Sequence, residues 1–268
     1  MTIYIADNAC IDTKAEIADG VSIGPFCVVG PKARIGPDTR LENNVTLMGR
    51  VTLGTDNHIY PGVTIGGAPQ DLSYQESDTE VLIGNRNVIR ENVTINRGSE
   101  KEEGVTRIGN QCYLMTNSHV AHDCYLGDCV AIANNSTLGG HVHIQDHATL
   151  SGLIGVHHFV TIGRYSFVGG MSAVRNDVPP FMLAEGIPAK PRCVNMVALK
   201  RNDFSGEVIK SLVEAHRLIY RARVGVEQAY ELLRTHGALE PQLVEFFTFI
   251  ENQQAGRHGR SRELRKAA

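Results

Sequence analysis

The chain contains no tryptophan, and aromatic residues make up only 6% of its 268 positions. Large aromatic plates therefore cannot dominate the interior, which is left to small and branched aliphatic residues. No excess of one charge sign exists. A net charge of −3 gives no basic surplus for bulk nucleic-acid binding. No apolar run approaches the roughly 18 residues needed to span a bilayer, so no transmembrane segment is expected. The opening residues MTIYIADNAC lack a basic region before an apolar stretch, and no secretory leader is expected. The six cysteines, at positions 10, 27, 112, 124, 129 and 193, form no CxxC pair. A reduced, cytoplasmic protein is the expectation.

What is present is a repeat. Stepping by six from Ile5 meets Ile, Leu or Val at every position to Ile65, again from Ile83 to Ile95, and again from Ile108 to Val174. That makes 26 positions, all aliphatic. Glycine follows the aliphatic residue in 11 of these 26 hexads, and the fifth position is usually small or β-branched (Ala9, Ala15, Val21, Cys27, Cys112, Ser118, Cys124). A period of six fits neither a helix at 3.6 nor a lone strand at 2. It fits a parallel β-helix of short strands, three hexads to a coil, with the aliphatics inside. Nearly nine coils at about 4.8 Å each give a prism roughly 40 Å long. Cys27, Cys112 and Cys124 occupy the small inward slot and read as core filler.

Two polar breaks, about 71–80 and 97–105, interrupt the repeat and read as extruded loops. Both leave after a third hexad, so they should emerge at one corner, one coil apart. The repeat stops at Pro179-Pro180, and GIPAKP (186–191) reads as a linker turn. Beyond it the pattern is helical. A segment begins near Ser205, a plausible N-cap, with Val208, Leu212, Ala215 and Ile219 at helical spacing. Residues 226–236 and 241–251 suggest two more helices. The expected organisation is a β-helix over 1–190, a helical domain over 191–256, and a basic, disordered tail over 257–268.

The stretch NSHVAHDCYLGD (117–128) puts histidines into this frame. His122 is the third residue of its hexad. Eighteen residues on lies Gly140, and eighteen more lead to His158. His122, Gly140-His141 and His157-His158 therefore stack on one side of the prism within about 10 Å. Asn96 is expected in the same column, one coil earlier. Three readings compete: a solvated polar column, a histidine metal site between subunits, and acid–base catalysis. In the last, an imidazole takes a proton from an attacking hydroxyl, and a backbone N–H stabilises the oxyanion. Gly140, without a side chain, would permit close approach.

The segments MTNSHVAHDC, ANNSTLGGHV, VHHFVTIG, VGGMSAVRNDVPP and VNMVALKRNDFS, with PQDLSY and RENVTINRG before the two breaks, carry a sharper resemblance. Together they resemble the family of acyl-carrier-protein-dependent UDP-N-acetylglucosamine O-acyltransferases, which open lipid A synthesis. The likeness runs over nearly the whole chain, helical end included. It implies a left-handed parallel β-helix followed by a small C-terminal α-helical domain, assembled as a homotrimer with sites between prisms. It also implies transfer of a 3-hydroxyacyl group from acyl carrier protein to the 3-hydroxyl of UDP-N-acetylglucosamine, with no metal and no organic cofactor.

Carried over by residue, the resemblance makes His122 the general base, Asp123 the group that holds its imidazole, and Gly140 the oxyanion donor. His119, His141 and His157 would line the cleft, and Gln70 and Asp71 would touch the sugar or acyl group. His158, Asn195 and Arg201 would face the nucleotide. Gly170 falls at the acyl-length stop, and the neighbouring Met171 could swing into that groove. The chain departs from the family pattern at Ser73, often Lys; at Asn96, often His; and at His158, Val197 and Asn202, where Gln, Glu and Arg are usual. These departures leave two acceptors open: plain UDP-N-acetylglucosamine or its 3-amino analogue. Rival readings are the pathway's later N-acyltransferase, which carries an extra N-terminal uridine-binding domain for which the early hexads leave no room, a coenzyme-A-dependent sugar acetyltransferase, and a purely structural solenoid.

Overall fold

A computed structural model describes residues 3–235, 239–257, 259 and 262. The chain winds as a left-handed parallel β-helix followed by a small helical part. Its strands form three sheets of 11, 9 and 8 strands. Every third strand pairs in register: Ile5 lies beside Ile23, Ile59 beside Ile89, and Val120 beside Leu138. This stacking puts each hexad's aliphatic residue directly over its counterpart, so one continuous core fills the prism from Val21 to Val178. From Ile23 onward these residues are at most 5% exposed. Full burial of such a side chain is worth about 1.5–3 kcal/mol, and no coil obtains it without neighbours. At the open first coil, Ile3, Tyr4 and Ile5 remain exposed.

The cysteines of the small inward slot are buried, and their thiols point at carbonyls of the next coil: Cys112 Sγ to Gly127 O at 3.1 Å and Cys124 Sγ to Gly139 O at 3.2 Å. Burial pushes both thiols up to about 12, which leaves them unreactive. The glycines after the aliphatic residues serve close coil-to-coil approach. A Cβ on Gly36 would stand 2.6 Å from Gly54 O, and one on Gly109 would stand 2.6 Å from Gly127 O. The left-handed backbone needed to turn each corner falls two residues later and is carried by Asn117, Asp123, Asn135, His141, Leu153, Phe159 and Met171, among others.

Both breaks leave the same edge of the nine-stranded sheet. The strands Thr64–Gly67 and Thr94–Asn96 that precede them are adjacent and parallel, and both segments re-enter the eight-stranded sheet at Glu80–Ile83 and Val105–Ile108. GIPAKP, read as a linker turn, is instead the bend of an antiparallel hairpin, Met182–Gly186 with Ala189–Val194, which extends the 11-stranded sheet. Phe181 is fully buried just before it and begins a second core with Leu199, Leu212, Phe246 and Phe247. Among the described residues, four α-helices follow: Met196–Arg201, Gly206–His216, Val226–Arg234 and Pro241–Gln254. Ser205 caps the second by accepting from Val208 N at 3.2 Å. Of the basic tail, Arg257, Gly259 and Arg262 are described; the rest of the expected disordered segment lies outside the described residues. Arg262 lies against the prism and donates to the carbonyls of His141 and Phe159 at 2.7 Å each. No helix among the described residues is long and apolar enough to cross a membrane.

Candidate active site

The strands His119–Val120, Thr137–Leu138 and Gly155–Val156 are consecutive neighbours in the nine-stranded sheet. The corner that follows each carries, in turn, His122, Gly140 and His158. Asn96 is not in this row. Ile95 pairs with Val120, so Arg97, the residue next to it, takes the position below His122. The second loop lengthens this coil, so a count in whole coils places Asn96 one residue off the row. Asn96 is buried and donates weakly to Gly67 O at 3.4 Å.

His122 is 8% exposed, and its Nδ1 lies 2.8 Å from Asp123 Oδ2. Asp123 is turned to meet it by a left-handed backbone, φ 57°. The second loop secures the carboxylate: Ser99 donates its N–H to Oδ1 at 2.9 Å and its hydroxyl to Oδ2 at 2.5 Å. Asp123 N–H in turn donates to Thr106 Oγ1 at 2.9 Å. A carboxylate that already accepts from Ser99 can only accept from His122. Nδ1 is therefore the donor in this pair, and Nε2 faces the cleft.

Gly140 is required sterically. A Cβ there would stand 2.5 Å from His122 Cε1 and 2.6 Å from Nε2. No partner for the Gly140 N–H appears among the described residues. His141 is 4% exposed, edge-on to His122 at 5.0 Å and stacked on Phe159 at 4.3 Å. His119 shares a 2.7 Å hydrogen bond with Thr94 Oγ1, and burial, followed by the nearby His122, holds its pKa below the usual histidine value.

A cleft of about 730 Å³ joins Gln70, Asp71, Lys101, His122, Gly140 and His158, with Leu72, His141 and Phe159 completing its walls. His157 is beside it, its ring 3.8 Å from that of His158. The other proposed contacts lie elsewhere. Asn195 is buried and caps the helix 196–201, accepting from Ala198 N at 3.3 Å and donating to Tyr165 O at 2.9 Å. Arg201 is exposed at the end of that helix. Gly170 and Met171 sit at the opposite edge of the nine-stranded sheet, just before the strand Ala173–Val174. Ser99, Lys101 and Phe159 were not singled out from sequence. Ser99 and Lys101 lie in a non-repeating loop that no register can index, and Phe159 looked like one more corner residue.

A family profile described as UDP-N-acetylglucosamine O-acyltransferase, domain 2, matches residues 177–259, and a bacterial transferase hexapeptide profile matches 32–67 and 106–140. An acyl-[acyl-carrier-protein]–UDP-N-acetylglucosamine O-acyltransferase of Halorhodospira halophila is 44% identical over 94% of this chain and 98% of its own length. The enzyme of that name from Syntrophobacter fumaroxidans is 42% identical over 95% and 99%. This chain belongs to that acyltransferase family. The crystal structure of UDP-N-acetylglucosamine O-acyltransferase from Moraxella catarrhalis superposes with a TM-score of 0.88, at 42% identity over 94% of this chain and 97% of that one. The chain is accordingly an acyltransferase built on the family's hexapeptide β-helix.

Proposed function

We propose that this acyltransferase moves a 3-hydroxyacyl group from acyl carrier protein to the 3-hydroxyl of UDP-N-acetylglucosamine, the first step of lipid A biosynthesis. The observation that carries the mechanism is the orientation of His122, with Nδ1 engaged by Asp123 and Nε2 turned to the cleft. Nε2 accepts the proton of the sugar hydroxyl as its oxygen attacks the thioester carbonyl. The oxyanion that forms meets the Gly140 N–H. When the C–S bond breaks, the imidazolium returns the proton to the carrier thiolate, and ester and thiol are released. The thioester arrives activated, so the reaction needs no metal and no organic cofactor.

His122, Asp123 and His141 offer donor atoms within 4.8 Å of one another. Both Asp123 oxygens are already committed to Ser99 and His122, so we assign the group to proton transfer. Turnover is expected to survive EDTA; loss on chelation with recovery on adding zinc would reverse that assignment.

The working form is a homotrimer in the cytoplasm. Leu153 and Met171, 18 residues apart on one corner, are 58% and 71% exposed on the lone prism, an apolar edge suited to a neighbouring prism and an acyl chain. The free state of all six cysteines suits a reducing compartment. Mass analysis of products from purified protein, supplied with a panel of 3-hydroxyacyl carriers and with UDP-N-acetylglucosamine or its 3-amino analogue, tests the reading. An O-acylated product is expected; acylation of the 3-amino sugar alone would replace the proposed acceptor.

A further inference from the structure

The two extruded loops are stitched together beside the catalytic imidazole. Ser77 Oγ donates to Glu100 Oε2 at 2.7 Å, and Arg97 Nε donates to Tyr74 Oη at 3.2 Å. Nearest the chemistry, the Lys101 ammonium donates to Asp71 Oδ2 at 2.6 Å. That oxygen is 4.0 Å from His122 Nε2, beyond hydrogen-bonding reach. Ser73 fixes the other carboxylate oxygen through its N–H at 2.9 Å and its hydroxyl at 2.8 Å. The Lys101 hydrogen bond, then those of Ser73, hold the Asp71 carboxyl well below the usual carboxylate range, so it is ionised whenever the enzyme works.

An ionised carboxylate this close to an imidazole has a competing arrangement. It can close the gap and pair with a protonated Nε2, and a base occupied in that way cannot accept a proton from substrate. Lys101 opposes that collapse twice. It draws the carboxylate towards itself, and its charge offsets the carboxylate's preference for imidazolium. We propose that Lys101 is a positioning residue that keeps Asp71 off His122 Nε2, leaving the imidazole neutral and open to the acceptor hydroxyl. This rests on the reading of His122 as proton acceptor. The cation comes from the second loop, while Ser73 reaches the other oxygen from the first.

Other titratable and charged groups surround His122, and His158 lines the same cleft. Asp123 holds Nδ1, and burial, followed by the nearby His122, lowers the pKa of His119 on the same coil. His141 stands edge-on from the next coil with Glu102 3.4 Å from its Nδ1. Arg262 reaches the backbone of His141 from the tail. Replacing Lys101 alters this set by one charge.

The test is the pKa of His122, read by NMR on histidine-labelled, substrate-free protein, alongside the pH profile of kcat/KM. Lys101→Met should raise the His122 pKa and move the acid limb of the profile upward by roughly one pH unit. Activity below the limb should fall about tenfold and return towards the wild-type plateau at higher pH. Lys101→Arg should retain the wild-type values. Adding Asp71→Asn to Lys101→Met should bring the His122 pKa back down, because the unopposed carboxylate is gone. An unmoved His122 pKa in Lys101→Met, or a rise in KM at every pH without a shifted limb, would overturn the proposal and leave Lys101 a loop staple or a substrate contact. The NMR titration needs no turnover, so its result stands apart from the separate failure in which His122→Ala remains active.

Discussion

The same corner of the prism, traced from one end to the other, holds two different kinds of residue. In the early coils the positions equivalent to His122 are Thr13, Pro31 and Gly49; in the later coils they are His122, Gly140 and His158. The residues facing inward hardly differ. Val29 and Leu47 are as buried as Val120 and Leu138. The coil therefore supplies a fixed 18-residue register and leaves the outward corner free. Chemistry appears only where imidazoles, a glycine and two loops meet at that corner. Core identity and site identity are thus separable, and substitutions at the two kinds of position should fail in different ways.

Next to removal of the His122 imidazole itself, Gly140→Ala should show the largest such effect. The added Cβ must displace the His122 ring from 2.5 Å contact, and misplacing a reacting group by about 1 Å costs roughly a hundredfold. The expected outcome is that loss in kcat with little change in Tm, measured by turnover and thermal melts; normal turnover would mean the imidazole is not held where it is needed. Next is Gly170→Met, at the opposite edge of the sheet. A Cβ there meets Gly152 O and Ser151 Oγ at 3.4 Å, which is ordinary contact, so a larger side chain is accommodated and, on the reading that the acyl chain ends at this corner, shortens its groove. Each buried methylene is worth about 0.8 kcal/mol, so excluding two shifts donor preference about tenfold. Relative kcat/KM across donors of differing length should move to shorter chains, and a longer preference in Met171→Ala would place the stop at Met171 instead.

Leu47→Ala lies in an early coil, 1% exposed and three strands away from Val120 in the nine-stranded sheet. It should cost about 2–5 kcal/mol of stability in denaturant titration while kcat is unchanged; a loss of kcat in folded protein would break the separation of core and corner. The smallest effect concerns Asp177, whose carboxyl burial pushes up to about 6 despite the Thr161 N–H it accepts at 2.8 Å. Because its folded pKa is raised, the folded state holds the proton more tightly. Stability should therefore fall as pH rises from the ordinary carboxylate value to about 6. Asp177→Asn should flatten that slope, giving a slightly higher Tm at pH 7.5 and none at pH 4.

The contrast also explains what could be read from sequence. The fold was legible because period six writes the core into the chain locally, and the loops' shared corner followed from counting three hexads per coil. The stacking of His122, Gly140 and His158 was legible by the same arithmetic. Ser99 and Lys101 were not, since their loop has left the register and only tertiary contact returns it to Asp123 and Asp71. Asn195, which the resemblance places at the nucleotide, caps a helix in the single chain, a local role that the hexad register does not index. The hairpin at 182–194 was hidden because its pairing is antiparallel and lies outside the repeat.

The most direct measurement is the single-turnover rate of acyl transfer by His122→Ala against wild type, with circular dichroism confirming the β-helix. Loss of a positioned general base costs about 10²–10⁴-fold, so a fall in that range is expected with the fold intact. A folded His122→Ala protein that transfers the acyl group within a few-fold of wild type would contradict it.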